Sequence, residues 1–345
     1  MLKYQNRHSN DFRKHVKEET LLEETASKRK TKKAIREVTF ENKYIKLTVV
    51  PEMGGKITEL LNKQSGTQFI RPGNVPLDDI DLPKYAEAFL PPYAYGFDEC
   101  FPSIGADIYE SNGTTRNIPD HGELWTQAWR ADIQPDKLVL DISGKAMKYN
   151  FRKEISLHKN QVEFKYRLQN TGDEAFDYLW SAHPLLSVEA GDEVLLPQKT
   201  RKVRIHAATD ERLEDGETAN WPELIPGSSS FDVVKEKSSG FASKLFVENP
   251  QSGKAALYRK RFDESLLIEF DTESVPHLGL WLCYGGWPDD DNYTADYSIA
   301  FEPTTASTDV LSEARQLSQS VYIQPKEVKE WKVAFSLINA KPVDF

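Results

Sequence analysis

Beyond residue 36 the hydrophobic positions recur every second residue. In "VEFKYRL" (162–168), Val162, Phe164, Tyr166 and Leu168 share one face, while Glu163, Lys165 and Arg167 take the other. That period marks a half-buried strand. The preceding "FRKEISL" runs into it through "HKNQ", which predicts a hairpin. "SKLFVENPQSGKAALYRK" predicts a second hairpin, with Asn249-Pro250 and Ser252-Gly253 at the bend. Further strands are expected at "YIKLTVV", "LVLDISG", "FDYLWSA", "LLIEFD", "LGLWLCYG", "YSIAF" and "EWKVAFSLI". Long helical periodicity is scarce. Many strands, short turns and few helices predict an all-β chain, a large antiparallel β-sandwich or barrel. No GxGxxG, GxxxxGK[ST] or GxSxG occurs, and there is no βαβ rhythm, which argues against Rossmann, P-loop and α/β-hydrolase folds.

Composition narrows the function classes. The 345 residues carry a net charge of −10, and 39% are hydrophobic against 28% charged, as in a soluble globular protein. The acidic balance disfavours nucleic acid and anionic membrane as partners, since both are repelled. Cys100 and Cys283 lie far apart and form no CxxC, so neither a disulfide framework nor a zinc or redox motif is expected. Residues 5–35 are densely charged and include "KRKTKK". The domain expectation is therefore a charged, partly ordered leader over 1–35, a solvated segment rather than a nucleic-acid patch, followed by a single domain over 36–345. The first twenty residues lack an apolar h-region, and no run of 18 apolar residues exists, so a cytoplasmic location is expected.

Candidate chemistry concentrates in "IPDHGELWTQAW" (118–129), where His121 precedes a glycine amid Asp120, Glu123, Trp125 and Trp129. Acid–base groups beside flat aromatic faces suit a site that grips a sugar ring. His183, in "WSAHPLL", ends an apolar strand before Pro184. Glu302, in "YSIAFEPTT", ends a strand with Tyr297, Ile299 and Phe301 on one side and Ser298, Ala300 and Glu302 on the other. The other readings are a core histidine capping a carbonyl and a surface glutamate. His8 and His15 fall in the leader, His158 in a hairpin turn, and His206 and His277 have no notable polar company in sequence. A neutral-pH proton donor plus a carboxylate is the minimum equipment for opening and closing a hemiacetal.

Four segments, in order, resemble the galactose mutarotase-like superfamily of aldose 1-epimerases and their hexose-phosphate relatives: "VVPEMGGKITELLNKQSGTQFI", "DHGELWTQAW", "SAHPLL" and "FEPTTASTDVL". The resemblance spans about residues 37 to 340 and implies the mutarotase supersandwich. It implies that His183 is the general acid on the ring oxygen and Glu302 the base on the anomeric hydroxyl. His121 would hold the sugar and share the charge that develops as the ring opens. Neither metal nor cofactor is implied. Trp125, Trp129 and Trp281 are stacking candidates, with core packing as their other reading. Where the family usually shows an Asn-Arg pair, "GFDECFPSI" has Asp98 and Glu99, acceptors suited to sugar hydroxyls. Gly279 stands where the family often has an amide. Relatives acting on hexose 6-phosphates tend to read "HGxxR"; here that position is Trp125. A neutral aldose is therefore the expected partner unless Arg116 or a lysine from elsewhere compensates. The oligomeric state stays open.

Three rivals remain. A cupin-type metal site would need HxH, which is absent. A glycoside hydrolase would need facing carboxylates, for which Asp98, Glu99 and Glu302 are the candidates. A non-catalytic sugar-binding or regulatory protein on the same fold is the third. The acidic "WPDDDN" (287–292) lacks EF-hand spacing and reads as a solvated loop.

Overall fold

Gln161–Asn170 shows why the period-two pattern becomes a sheet. Its Val162, Phe164, Tyr166 and Leu168 are at most 1% exposed. The strand pairs with Tyr149–His158 through the tight Lys159-Asn160 turn, and on its other side with Val328–Ile338. Lys159 takes the left-handed conformation, φ +56°, that such a turn requires. The expected hairpin at "HKNQ" is present.

The computed structural model describes residues 35–111, 113–247 and 250–342. All of the expected leader except Ile35 lies outside these, as does Asn249. Arg36–Phe345 form one compact unit. Among the described residues, the strands assemble mainly into an antiparallel sheet of eleven strands and another of eight. The fold is thus the expected all-β sandwich, with one short α-helix among the described residues, at Leu311–Gln316. The core lies between the two large sheets, where Phe97 of one meets Phe164 and Phe335 of the other at ring separations of 5.4 Å. Among the described residues no helix is long and apolar enough to cross a membrane.

The second expected hairpin does not form. Phe241–Val247 joins the eleven-stranded sheet, between Lys202–Ala208 and His277–Tyr284. Lys254–Arg259 instead joins the eight-stranded sheet and pairs with Glu264–Phe270. The reason is burial: every residue of Phe241–Val247 is buried, so both its faces must be covered, which a two-stranded ribbon cannot do. "FDYLWSA" likewise divides. Phe176–Tyr178 forms a small ribbon with Val321–Ile323, while Ser181–Pro184 enters the eleven-stranded sheet.

One face of the eleven-stranded sheet packs on the core and the other carries the site. Along Tyr297–Thr304 the alternation inferred from sequence holds: Ile299 and Phe301 pack in the core, while Ala300 packs with Trp125 and Leu185 on the other side. Register sets the rows on that face. His183 stands opposite Asp98. Glu302 stands opposite Gly279, which stands opposite Phe246. One step along, Ala300, Trp281 and Lys244 form the next row.

Candidate active site

His121, His183 and Glu302 come from three distant segments and line one cleft of about 330 Å³. That lies toward the lower end of the ~300–1,000 Å³ of small-molecule pockets. His183 and Glu302 reach it from adjacent strands. His121 reaches it from a turn where His121 and Gly122 both have positive φ, +56° and +71°. A Cβ on Gly122 would lie 2.2 Å from the Phe101 carbonyl oxygen, so only glycine lets this turn press onto the sheet.

The site is tightly ordered. His121 Nδ1 is 2.9 Å from Asp120 Oδ1. Its ring stacks on Phe89, centroids 4.0 Å apart, and stands edge-on to His183 at 5.1 Å. His183 Nε2 is 3.9 Å from Glu302 Oε1. Lys244 donates to Glu302 Oε2, and its ammonium is 3.3 Å from Asp309 Oδ1. Asp309 Oδ2 in turn faces His206 Nε2 at 3.5 Å. Trp281 and Trp287, edge to face at 6.0 Å, line the cleft. Neither His183 Nδ1 nor Glu302 Oε1 has a hydrogen-bond partner among the described residues.

Burial dominates the electrostatics. It raises the Glu302 pKa, and Lys244 pulls back only part of that rise. It drives His183 well below the ordinary imidazole value, with His121, Lys244 and Lys56 adding repulsion. Burial opposes the Lys244 ammonium too, but Asp309 and Glu302 outweigh it and hold its pKa above normal. The free protein therefore holds His183 neutral at neutral pH and Lys244 charged.

The remaining sequence candidates divide. Trp281 lines the cleft. Asp98 lies beside His183 on the cleft face but is 2% exposed and clamped by Lys56, which also donates to the carbonyls of Tyr95 and Tyr93. It sits beneath the cleft, outside its lining. Glu99 faces the other way, because successive strand residues point to opposite faces. It lies in the core, accepting from Lys153 at 2.6 Å, Tyr166 at 3.0 Å and Trp180 at 3.0 Å. Trp125 is 1% exposed and gives its indole N–H to the Asp120 carbonyl, so it braces the His121 turn and offers no face to a ligand. Trp129 is likewise core, bonded to the Leu124 carbonyl. Glu123 is fully buried; it accepts from Tyr85, Tyr149 and two backbone amides, stapling the segment in place. Arg116 lies by Glu174 and lines a different cleft.

Sequence reasoning missed Lys244, Asp309, His206, Trp287 and Phe89. His206 has its polar company in Asp309, a long-range partner. Lys244 did leave a signal: it is a lone charge inside the otherwise uncharged, mostly apolar "FASKLFV".

A family model described as a domain of unknown function (DUF5107) matches residues 20–79. No curated protein matches the chain. Among solved structures, the Slr1438 protein from Synechocystis is similar at 15% identity and a TM-score of 0.67, covering 88% of this chain and 96% of that one. A galactose mutarotase-like protein from Lactobacillus casei is 15% identical at a TM-score of 0.65, covering 88% of this chain and 100% of its own. A GalM/aldose epimerase homologue from C. elegans is 13% identical at 0.63, covering 89% and 100%. The chain has the galactose mutarotase-like fold, and at these identities the likeness extends to the fold alone.

Proposed function

We propose that this protein is a carbohydrate-active isomerase of the aldose 1-epimerase type, exchanging the anomers of an aldose by opening and closing its ring. The observation that carries the reading is the convergence of His121, His183 and Glu302 in one cleft beside Trp281. Glu302 Oε1 takes the proton of the anomeric hydroxyl while His183 gives one to the ring oxygen. The bond from C1 to the ring oxygen breaks and C1–O1 becomes a carbonyl. Rotation about C1–C2 and reversal of both transfers close the other anomer, so protons balance over the cycle. His121, oriented by Asp120 and Phe89, holds a sugar oxygen. Each well-placed acid or base contributes ~10²–10⁴-fold, and the fixed ring orientation adds to this.

The substrate is a neutral aldose, or the neutral sugar end of a larger molecule. The cleft lining includes Asp120, Asp296, Glu302 and Asp309, against the ammonium of Lys244. That ammonium is already engaged by two carboxylates. A phosphorylated sugar would meet unfavourable charge, while Trp281 and Trp287 offer aromatic faces to C–H groups. We read the protein as working in the cytoplasm.

One observation favours a second reading, a sugar-binding protein without turnover: Glu302 is engaged by Lys244 and His183 is held neutral. NMR anomer-exchange spectroscopy against a panel of free aldoses and aldose phosphates, run beside saturation-transfer binding, separates the two. Accelerated exchange of a free aldose supports the isomerase. Binding without acceleration selects the second reading.

A further inference from the structure

We propose that Lys244 is a positioning residue: passing over the intervening strand at Gly279, it holds one oxygen of Glu302, aims the other at the cleft, and sets the charge felt by Glu302 and His183. This rests on the reading of the cleft given above.

The geometry is unusual for a strand-borne pair. Lys244 belongs to Phe241–Val247 and Glu302 to Tyr297–Thr304, with His277–Tyr284 between them. By register Lys244 faces Trp281 and Glu302 faces Gly279, so the two are diagonal across two strand spacings of ~4.8 Å each. The lysine side chain must cross the middle strand to make the contact. It does so over Gly279: a Cβ built there would lie 3.4 Å from Lys244 Cε and 3.2 Å from Glu302 Cβ. A methyl there would meet Lys244 at ordinary contact distance and press on Glu302, so a larger, branched side chain at 279 would close the passage that Lys244 fills. Phe246 flanks the same passage, its ring centroid 5.3 Å from the ammonium. With Oε2 held, Oε1 remains, buried and unpartnered among the described residues, 3.9 Å from His183 Nε2.

Every packed neighbour of Glu302 enters the charge balance. His183 faces it from the adjacent strand, Asp309 from the loop that follows, and His121 from its turn. His206 faces Asp309, and Asp120 holds His121. The Lys56–Asp98 pair and Cys100 lie close by. Lys244 is the cation that touches the carboxylate. It opposes protonation of Glu302 and of His183 alike, whereas Asp309 favours protonation of Glu302.

The test uses the full chain and variants Lys244→Met, Lys244→Arg and Gly279→Val. The His183 ring is titrated by heteronuclear NMR, a readout independent of turnover, and anomer exchange is followed against pH. Lys244→Met should raise the His183 midpoint by roughly one pH unit and move both limbs of the pH profile upward. Lys244→Arg should restore the wild-type midpoint. Gly279→Val, which fills the passage, should move it the same way as Lys244→Met and stands in if that variant does not fold. An unmoved His183 midpoint in a folded Lys244→Met or Gly279→Val protein overturns the proposal, whatever happens to activity. A moved midpoint in a protein that exchanges no sugar sustains the role of Lys244 and rejects the isomerase reading instead.

Discussion

His183 Nε2 and Glu302 Oε1 stand 3.9 Å apart on neighbouring strands, in a register that pairs Ser181 with Thr304. The gap exceeds a hydrogen bond, so the two groups do not satisfy each other directly. Under the proposed mechanism this spacing would let the two groups act on the anomeric and ring oxygens of one sugar. On the proposed reading, a proton would pass between them by way of the ligand as the ring opens.

The pH dependence follows from the opposed shifts. The acid role needs His183 protonated, and its pKa lies well below the ordinary value, so that form grows as pH falls. The base role needs Glu302 ionised, and its pKa is raised, so that form is lost as pH falls. The productive combination is confined to a narrow window. The kcat/KM profile should be bell-shaped, falling on the alkaline side as His183 loses its proton and on the acid side as Glu302 gains one. A plateau extending through pH 8 would exclude His183 as the acid.

His183→Asn and Glu302→Gln should each slow anomer exchange by ~10²–10⁴-fold while leaving sugar binding measurable by saturation transfer. Retention of more than about a tenth of the wild-type rate in either would remove that residue from the mechanism.

Trp281 is partly exposed at the cleft, whereas Trp125 is buried behind it. Trp281→Ala should weaken binding, raising KM with a smaller effect on kcat. Trp125→Ala should instead lower stability by ~3–5 kcal/mol, as for other buried tryptophans. Urea unfolding of both variants, compared with their KM values, checks the distinction.

Free hexose should exceed its 6-phosphate in kcat/KM, most clearly at low salt, where charge is least screened. Preference for the phosphate would implicate Lys244, the lysine that lines the cleft, and not Arg116, which lies elsewhere.

Lys153 and Glu99 form a buried pair in the core between the sheets, with side chains 1% and 2% exposed. Lys153→Met leaves the Glu99 carboxylate without its cation, at a cost of ~3–5 kcal/mol. Denaturant unfolding should show that loss, while the Kd for sugar stays near wild type. Altered affinity without lost stability would return Glu99 to the binding surface.

The sequence by itself determined what is local. Period-two alternation placed strands such as Gln161–Asn170, and along Tyr297–Thr304 it assigned Ile299 and Phe301 to one face and Ala300 and Glu302 to the other. The ordered segments around His121, His183 and Glu302 brought the site residues to notice, because each carries its own signature of strand end, proline or glycine. Only the tertiary structure decided what depends on register between distant strands. It sent Phe241–Val247 and Lys254–Arg259 to different sheets, since a strand buried on both faces cannot stay in a ribbon. It divided the adjacent Asp98 and Glu99 between cleft face and core, because which residue of a pair faces inward is set by the neighbours it packs against. It buried Trp125 and left Trp281 at the cleft. And it carried Lys244 across Gly279 to Glu302: a contact over 58 positions of chain, made by two strands that never pair, leaves no spacing in the sequence to read.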